Sequence, residues 1–171
     1  MTDERLGDAL WQALERLPPG SGVIVRHYGL PLDERRALFG RIARVARRRH
    51  LVLLRAGPDR LGRFEDGVHN ARGKRPGLLT RAVHDRREAI RAARDGVDAM
   101  FVSPVFATRS HPHARTLGRF GLARVRRGLG TPVIALGGMR PETVRRLAGF
   151  DIAGWAAIDW WAGQKRKAVP I

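Results

Sequence analysis

Asp98-Ala-Met-Phe-Val-Ser-Pro-Val-Phe-Ala-Thr-Arg-Ser-His-Pro-His-Ala-Arg-Thr-Leu-Gly118 is the stretch on which the fold turns. It opens with Met100 to Val102, an apolar run too short for a helix and bounded by Gly96 and Pro104. That is how a strand buried on both faces reads. After Phe106 the character changes to hydroxyls and donors: Thr108, Arg109, Ser110, His111 and His113. From Leu117 a helical rhythm begins, with Leu122, Val125 and Leu129 spaced for one face. A buried strand, a polar basic loop and a helix form the unit in which α/β proteins place their ligands.

The same alternation runs through the rest of the chain. Short apolar runs at about 23–27, 51–55, 67–69, 78–83, 99–103, 132–136 and 152–157 read as seven strands. Helical patterns lie between most of them. Residues 4–17 carry Leu6, Leu10, Leu14 and Leu17 on one stripe, and 32–49 bury Leu38, Ile42 and Val45. A weak helical turn is expected after Pro58, then a helix at 86–95 with Ile90 and Ala93 inward. Another helix opens at Pro141, and a short terminal one follows 157. No run of hairpin turns interrupts the series, so the sheet is expected to be parallel. An eighth strand would precede residue 4, where Met1-Thr2 leaves only a stub. The link 70–77 is also short: a parallel crossover needs a dozen residues or more, so its helix is missing.

At 171 residues the prior is one domain, here 1–163, followed by a basic tail at 164–171. No segment approaches the apolar length of a membrane span, and the residues after Met1 do not read as a signal peptide. Cysteine is absent, which excludes disulfides and fits a reducing cytoplasm. The formal charge is +17, nearly all from arginine, since lysine occurs only at 74, 165 and 167. The arginines are spread along helices rather than gathered in one block. An anionic small molecule is therefore favoured as partner over a nucleic acid, and no membrane partner is expected. Trp11, Trp155, Trp160 and Trp161 read as packing for the helical shell and for an exposed or homo-oligomeric face.

Several motifs, in order, resemble the thiamine phosphate synthase family, including its thiazole tautomerase branch. Ser103-Pro104-Val105-Phe106-Ala107-Thr108 is similar to the family's Gly-Pro-Val-Phe-x-Thr. Pro132 to Met139 is similar to Pro-Val-x-Ala-Ile-Gly-Gly-Ile, Gly67-Val68-His69 to Gly-Val-His, and Thr2-Asp3 to the Thr-Asp ending the first strand. With Arg26, the resemblance runs from Thr2 to about Trp161. It implies a (β/α)8 TIM-barrel fold, here shortened, with the first strand truncated and the crossover helix after the fourth missing. The activity implied joins an aminopyrimidine diphosphate to a thiazole phosphate, releasing diphosphate with Mg²⁺ present.

That chemistry asks little proton transfer of the protein. Loss of diphosphate leaves a cation stabilised by the pyrimidine's own amino group, so the site must neutralise the leaving group and position the partner. The thiazole phosphate needs backbone N–H groups. Gly137 and Gly138 let the backbone approach a ligand, the helix from Pro141 begins nearby, and the loop starting at Ala156-Ala157 completes the usual phosphate site of this fold.

The chain departs from the resemblance where the metal would be held. The family's two Mg²⁺ aspartates fall at Ala56 and Lys74. The second strand's Gln-x-Arg-Glu-Lys keeps only Arg26, and the fifth strand's Ser becomes Ala82, though its following His survives as His84. Thr-x-Thr-Lys becomes Thr108-Arg109-Ser110-His111, and the tautomerase branch's acid/base His is replaced by Pro104. His111 and His113 have no neighbouring carboxylate with which to hold a metal. Asp3, Asp59 and Asp85 lie after strand ends, but not where the family's ligands lie. No cofactor is thus required by the sequence.

The substrate-binding set expected is Arg26, Arg55, Lys74, Thr108, Ser110, His111, Gly137, Gly138, Ala156 and Ala157, with His84 the one catalytic candidate. The partners expected are phosphorylated small molecules. The leading reading is a divergent synthase using arginines for charge neutralisation. The alternative is a non-catalytic binder of a phosphorylated thiamine precursor, and a third is a basic nucleic-acid-binding protein.

Overall fold

The computed structural model describes residues 1–71, 77–108 and 114–163. Seven strands lie in chain order in one sheet: β1 (Gly22–Val25), β2 (Val52–Ala56), β3 (Gly67–His69), β4 (Leu78–Val83), β5 (Ala99–Val102), β6 (Val133–Leu136) and β7 (Gly154–Ala156). Every neighbouring pair is parallel. Met1 and Thr2 stand at the expected stub. The Thr2 N–H donates to the Ile24 carbonyl of β1 at 2.9 Å, and the Met1 nitrogen donates to the Ala157 carbonyl just past β7 at 3.2 Å. Two residues thereby bridge the two edges of the sheet.

Alternation along each strand sorts side chains into an inner and an outer layer. Ile24, Leu54, Ala56 and Phe101 meet inside, with Val52, Ile134 and Ala156 against them. The intervening residues face helices. Val23, Val25 and Leu53 pack under α1 (Ala9–Arg16) and α2 (Leu32–Arg48). Met100, Val102, Val133 and Ala135 pack under α3 (Arg86–Arg94), α4 (Gly118–Arg126) and α5 (Pro141–Arg145). Within α2 the deepest side chains are Phe39, Ile42, Ala43 and Ala46, with Leu38 and Val45 half-buried; in α3 they are Ala89 and Ala92 rather than Ile90 and Ala93. Ile42 is buried as expected, while the rest of the α2 stripe and the whole of the α3 stripe lie about one residue from the positions expected.

No helix covers β3 among the described residues. The link 70–77, where the crossover helix is expected to be missing, lies for the most part outside the described residues, which omit 72–76. The weak turn expected after Pro58 does not form either. Asp66 pins this connection against β2 instead: its Oδ2 accepts from the Leu53 N–H at 2.7 Å, and its own N–H donates to the Leu53 carbonyl at 2.8 Å. Gly57, Pro58 and Gly62 disfavour helix in the same stretch. The short helix expected after 157 is a run of turns.

Much of the arginine serves the shell. Arg41 lies 4.4 Å over Trp11, Arg47 4.6 Å over Phe64 and Arg146 4.8 Å over Phe106. Arg48 pairs with Glu15, Arg81 with Asp95 and Arg126 with Asp151. Among the described residues no helix is long and apolar enough to cross a membrane.

Candidate functional site

A cavity of about 820 Å³ opens at the C-terminal ends of the strands. Its walls follow from the inward parity. Inner-layer positions at and just beyond the strand ends line the cavity: Arg26 after β1, His69 closing β3, Ala82 and His84 on and after β4, Ser103 after β5 and Leu136 closing β6, with the turn Gly137 to Arg140 completing that side. Tyr28 and Trp160, both substantially exposed, stand at its rim. A cavity with an apolar lining and a few convergent polar groups is the usual form of a small-molecule site.

Arg26 is set by its neighbours. The Thr2 hydroxyl accepts from the Arg26 N–H at 3.0 Å and lies 3.0 Å from His27 Nδ1. His27 has φ +41° and is buried, and burial lowers its pKa below the ordinary histidine value. The turn it makes leaves the Arg26 side chain inward and half-buried.

Gly137 and Gly138 are needed for a reason beyond ligand approach. Their φ values are +92° and +63°. A Cβ on Gly137 would stand 2.7 Å from Pro104 Cα, and one on Gly138 would stand 2.4 Å from the Ala107 carbonyl oxygen. The glycines thus let the 103–107 segment seat against the end of β6, which the N–H groups of Val105 and Phe106 seal by donating to the Leu136 and Gly137 carbonyls. The N–H groups of Gly137, Gly138 and Met139 donate to no acceptor among the described residues. Arg140 lies beside them, its Nε 3.1 Å from Glu142.

His69 and His84 are held differently. His69 is buried, 2.9 Å from the Thr80 hydroxyl through Nδ1 and edge-on to Phe101 at 5.2 Å. Burial above all, with the positive charges of the Met1 amino group and then of Arg26 adding to it, pushes its pKa down to about 3, so this imidazole is neutral. His84 is exposed to the cavity, with Nδ1 2.7 Å from the Ser103 carbonyl oxygen.

Of the residues singled out in the sequence, Arg26, His84, Thr108, Gly137, Gly138 and Ala157 line the cavity together. Lys74, Ser110 and His111 lie outside the described residues. Ala156 packs in the inner layer below the mouth. Arg55 is a correction. It lies at the expected end of β2 but on the opposite face, sharing the outward parity of Leu53. There it is 3% exposed and bound to Glu65 and the Gly57 carbonyl, away from the cavity. Trp160 is exposed, as one of the two tryptophan readings expects, and the surface it stands on is the rim of the cavity. Tyr28, Asn70, Ser103, Arg140 and Asp159 also line the cavity unforeseen. Alternation counted from Ile24 and from Phe101 would have found Tyr28 and Ser103.

The donor set does not suit Mg²⁺. Ala56 fills its inward position with a methyl group, fully buried. Asp3 is taken up by Arg5 at 2.7 Å, Asp85 caps α3 by accepting from the Glu88 N–H, and Asp59 lies 3.7 Å from Arg35. Among the described residues no three His, Cys, Asp or Glu are grouped to hold a metal, whereas Mg²⁺ asks for oxygen donors in near-octahedral array.

A parallel α/β sheet in chain order, an inner apolar layer and a cavity at the strand C-termini define a TIM-barrel-type protein. The comparisons narrow this class to one family. Residues 61–160 match the family model of thiamine monophosphate synthase, and the chain belongs to that family. It is 35% identical over 85 residues to the thiamine-phosphate synthase of Chloroflexus aurantiacus, covering 43% of this chain and 39% of that one. It is 30% identical over 111 residues to that of Pyrococcus furiosus, covering 63% and 54% respectively. The chain thus spans about half the length of the curated relatives it matches. The solved thiamine phosphate pyrophosphorylase from Pyrococcus furiosus superposes with a TM-score of 0.78 at 23% identity, over 96% of this chain and 86% of that one, a likeness of fold.

Proposed function

We propose that this site binds phosphorylated thiamine precursors with fixed protein cations and backbone N–H groups in place of a metal. The observation that carries the reading is the placement on one cavity of Arg26 and of the Gly137–Met139 N–H groups, which have no acceptor among the described residues. The N–H groups and Arg140 suit the thiazole phosphate. Arg26, across the mouth at the end of β1, is the charge available to a diphosphate among the described residues. Each charge-assisted hydrogen bond supplies roughly 1.5–3 kcal/mol. Trp160 offers its ring to a planar heterocycle at the rim, and Tyr28 the face that Arg35, 4.9 Å over its ring, leaves uncovered.

The reaction consistent with this arrangement is the synthase coupling of aminopyrimidine diphosphate and thiazole phosphate. The protein holds the two rings together and neutralises the departing diphosphate. Among the described residues one half-buried arginine stands on the diphosphate side and stabilises that leaving group less than a metal does, so turnover is slow. The second reading, a non-catalytic binder, is favoured by one observation: Asp159 is the single carboxylate lining the cavity among the described residues. Incubating both substrates with the full chain and assaying thiamine phosphate, with Mg²⁺ and in EDTA, separates the two. Product in either condition supports the synthase; precursor binding without product supports the binder.

A further inference from the structure

His84 follows β4, whose N-terminal half pairs with β3, and the main chain at and beside it is held by hydrogen bonds. Its own N–H donates to Glu88 Oε2 at 2.6 Å, while Glu88 N–H donates to Asp85 Oδ1 at 2.8 Å, so the capping contacts of α3 grip the residue. The Ser103 N–H donates to the Val83 carbonyl at 3.0 Å, which extends the β4–β5 ladder up to it. The ring is held as well. Nδ1 lies 2.7 Å from the Ser103 carbonyl oxygen, and a carbonyl can only accept. In neutral His84 the proton therefore sits on Nδ1, and Nε2 carries a lone pair.

Most of the polar groups that line the same cavity are of the other kind. Arg26, Arg140 and the N–H groups of Gly137 to Met139 are donors, and the Asn70 side-chain oxygen already accepts from the Ala82 N–H at 2.8 Å; the Asp159 carboxylate, on the segment after β7, is the charged acceptor among the described residues. We infer that His84 Nε2 is the acceptor for an N–H group on the ligand's ring, held in that role by the Ser103 carbonyl. The inference rests on the functional reading above for the ligand's identity. Of the two precursors, only the aminopyrimidine carries an N–H donor; the thiazole phosphate has none. His84 then selects the pyrimidine and fixes its in-plane orientation, with the anion bound elsewhere in the mouth. Strands two apart in a sheet are separated by about 9.6 Å, which sets the span between His84 after β4 and the N–H groups after β6.

The first arm of the test needs no ligand. Long-range ¹H–¹⁵N spectra of the full chain, assigned with His84→Gln, should give His84 the pattern of the Nδ1–H tautomer; the Nε2–H pattern would overturn the inference. The second arm compares hydroxymethyl-aminopyrimidine phosphate with its analogue bearing hydrogen in place of the amino group. Wild type should prefer the amino compound about tenfold. His84→Asn, which retains a donor for Ser103 but loses Nε2, should abolish the preference, and His84→Gln should restore part of it. An undiminished preference in His84→Asn would overturn the inference. If neither precursor binds wild type, the functional reading and the ligand assignment fall together, while the tautomer still decides the geometry of His84.

Discussion

Arg55 Nε lies 2.8 Å from Glu65 Oε2, on the helix-facing side of β2 and out of reach of the cavity. Both groups are largely shielded from water, so removing one strands the other. Arg55→Ala should cost about 3–5 kcal/mol of folding stability. Urea denaturation checks this, and phosphate affinity measured on the folded protein should not change. A variant with normal stability and weakened phosphate binding would return Arg55 to the mouth.

His69 gives the fold a pH dependence of fixed sign. Its pKa in the folded chain is about 3, against about 6.5 when unfolded, so the unfolded state binds more protons between those values. The stability associated with a neutral His69 is present above about pH 6.5 and is lost as pH falls toward 3. Thermal unfolding across that window should show His69→Asn losing less stability on acidification than wild type. Parallel curves for the two would show that His69 does not titrate in this way.

How far the sequence was legible can be argued from these same residues. The seven strands were readable because each is a short apolar run closed by glycine, proline or a charge, and that pattern survives any packing. The face of Arg55 was not, because resemblance aligns positions along a strand and says nothing of parity until a neighbour such as Leu54 is known to be inside. Arg26 was correctly placed since it follows Ile24 by two. Asp66 was missed: a polar side chain that bonds to a backbone thirteen residues away has no periodicity to betray it. That the exposed Trp160 faces the cavity is not legible for a related reason, because the turns after β7 carry no rhythm from which to read a direction.

Gly137 ties the architecture of the mouth to its chemistry. Gly137→Ala forces a positive φ on an L side chain and drives a Cβ to within 2.7 Å of Pro104 Cα. Such strain costs roughly 1–3 kcal/mol before the contact is counted. The 103–107 segment must shift to relieve it, and the Ser103 carbonyl moves with it. Calorimetry should show a lowered melting temperature together with weaker thiazole phosphate binding. A variant that binds as wild type would mean that this seam does not shape the site.

The claim at the centre of the account is that protein cations, not a metal, hold the anion. Isothermal titration of thiazole phosphate and of inorganic diphosphate, each in excess EDTA and in saturating Mg²⁺, tests it most directly, with Arg26→Ala alongside wild type. The account predicts binding of both anions that EDTA leaves unchanged, and a loss of roughly tenfold or more in diphosphate affinity in Arg26→Ala. Binding that disappears in EDTA, or that is indifferent to Arg26, would contradict it.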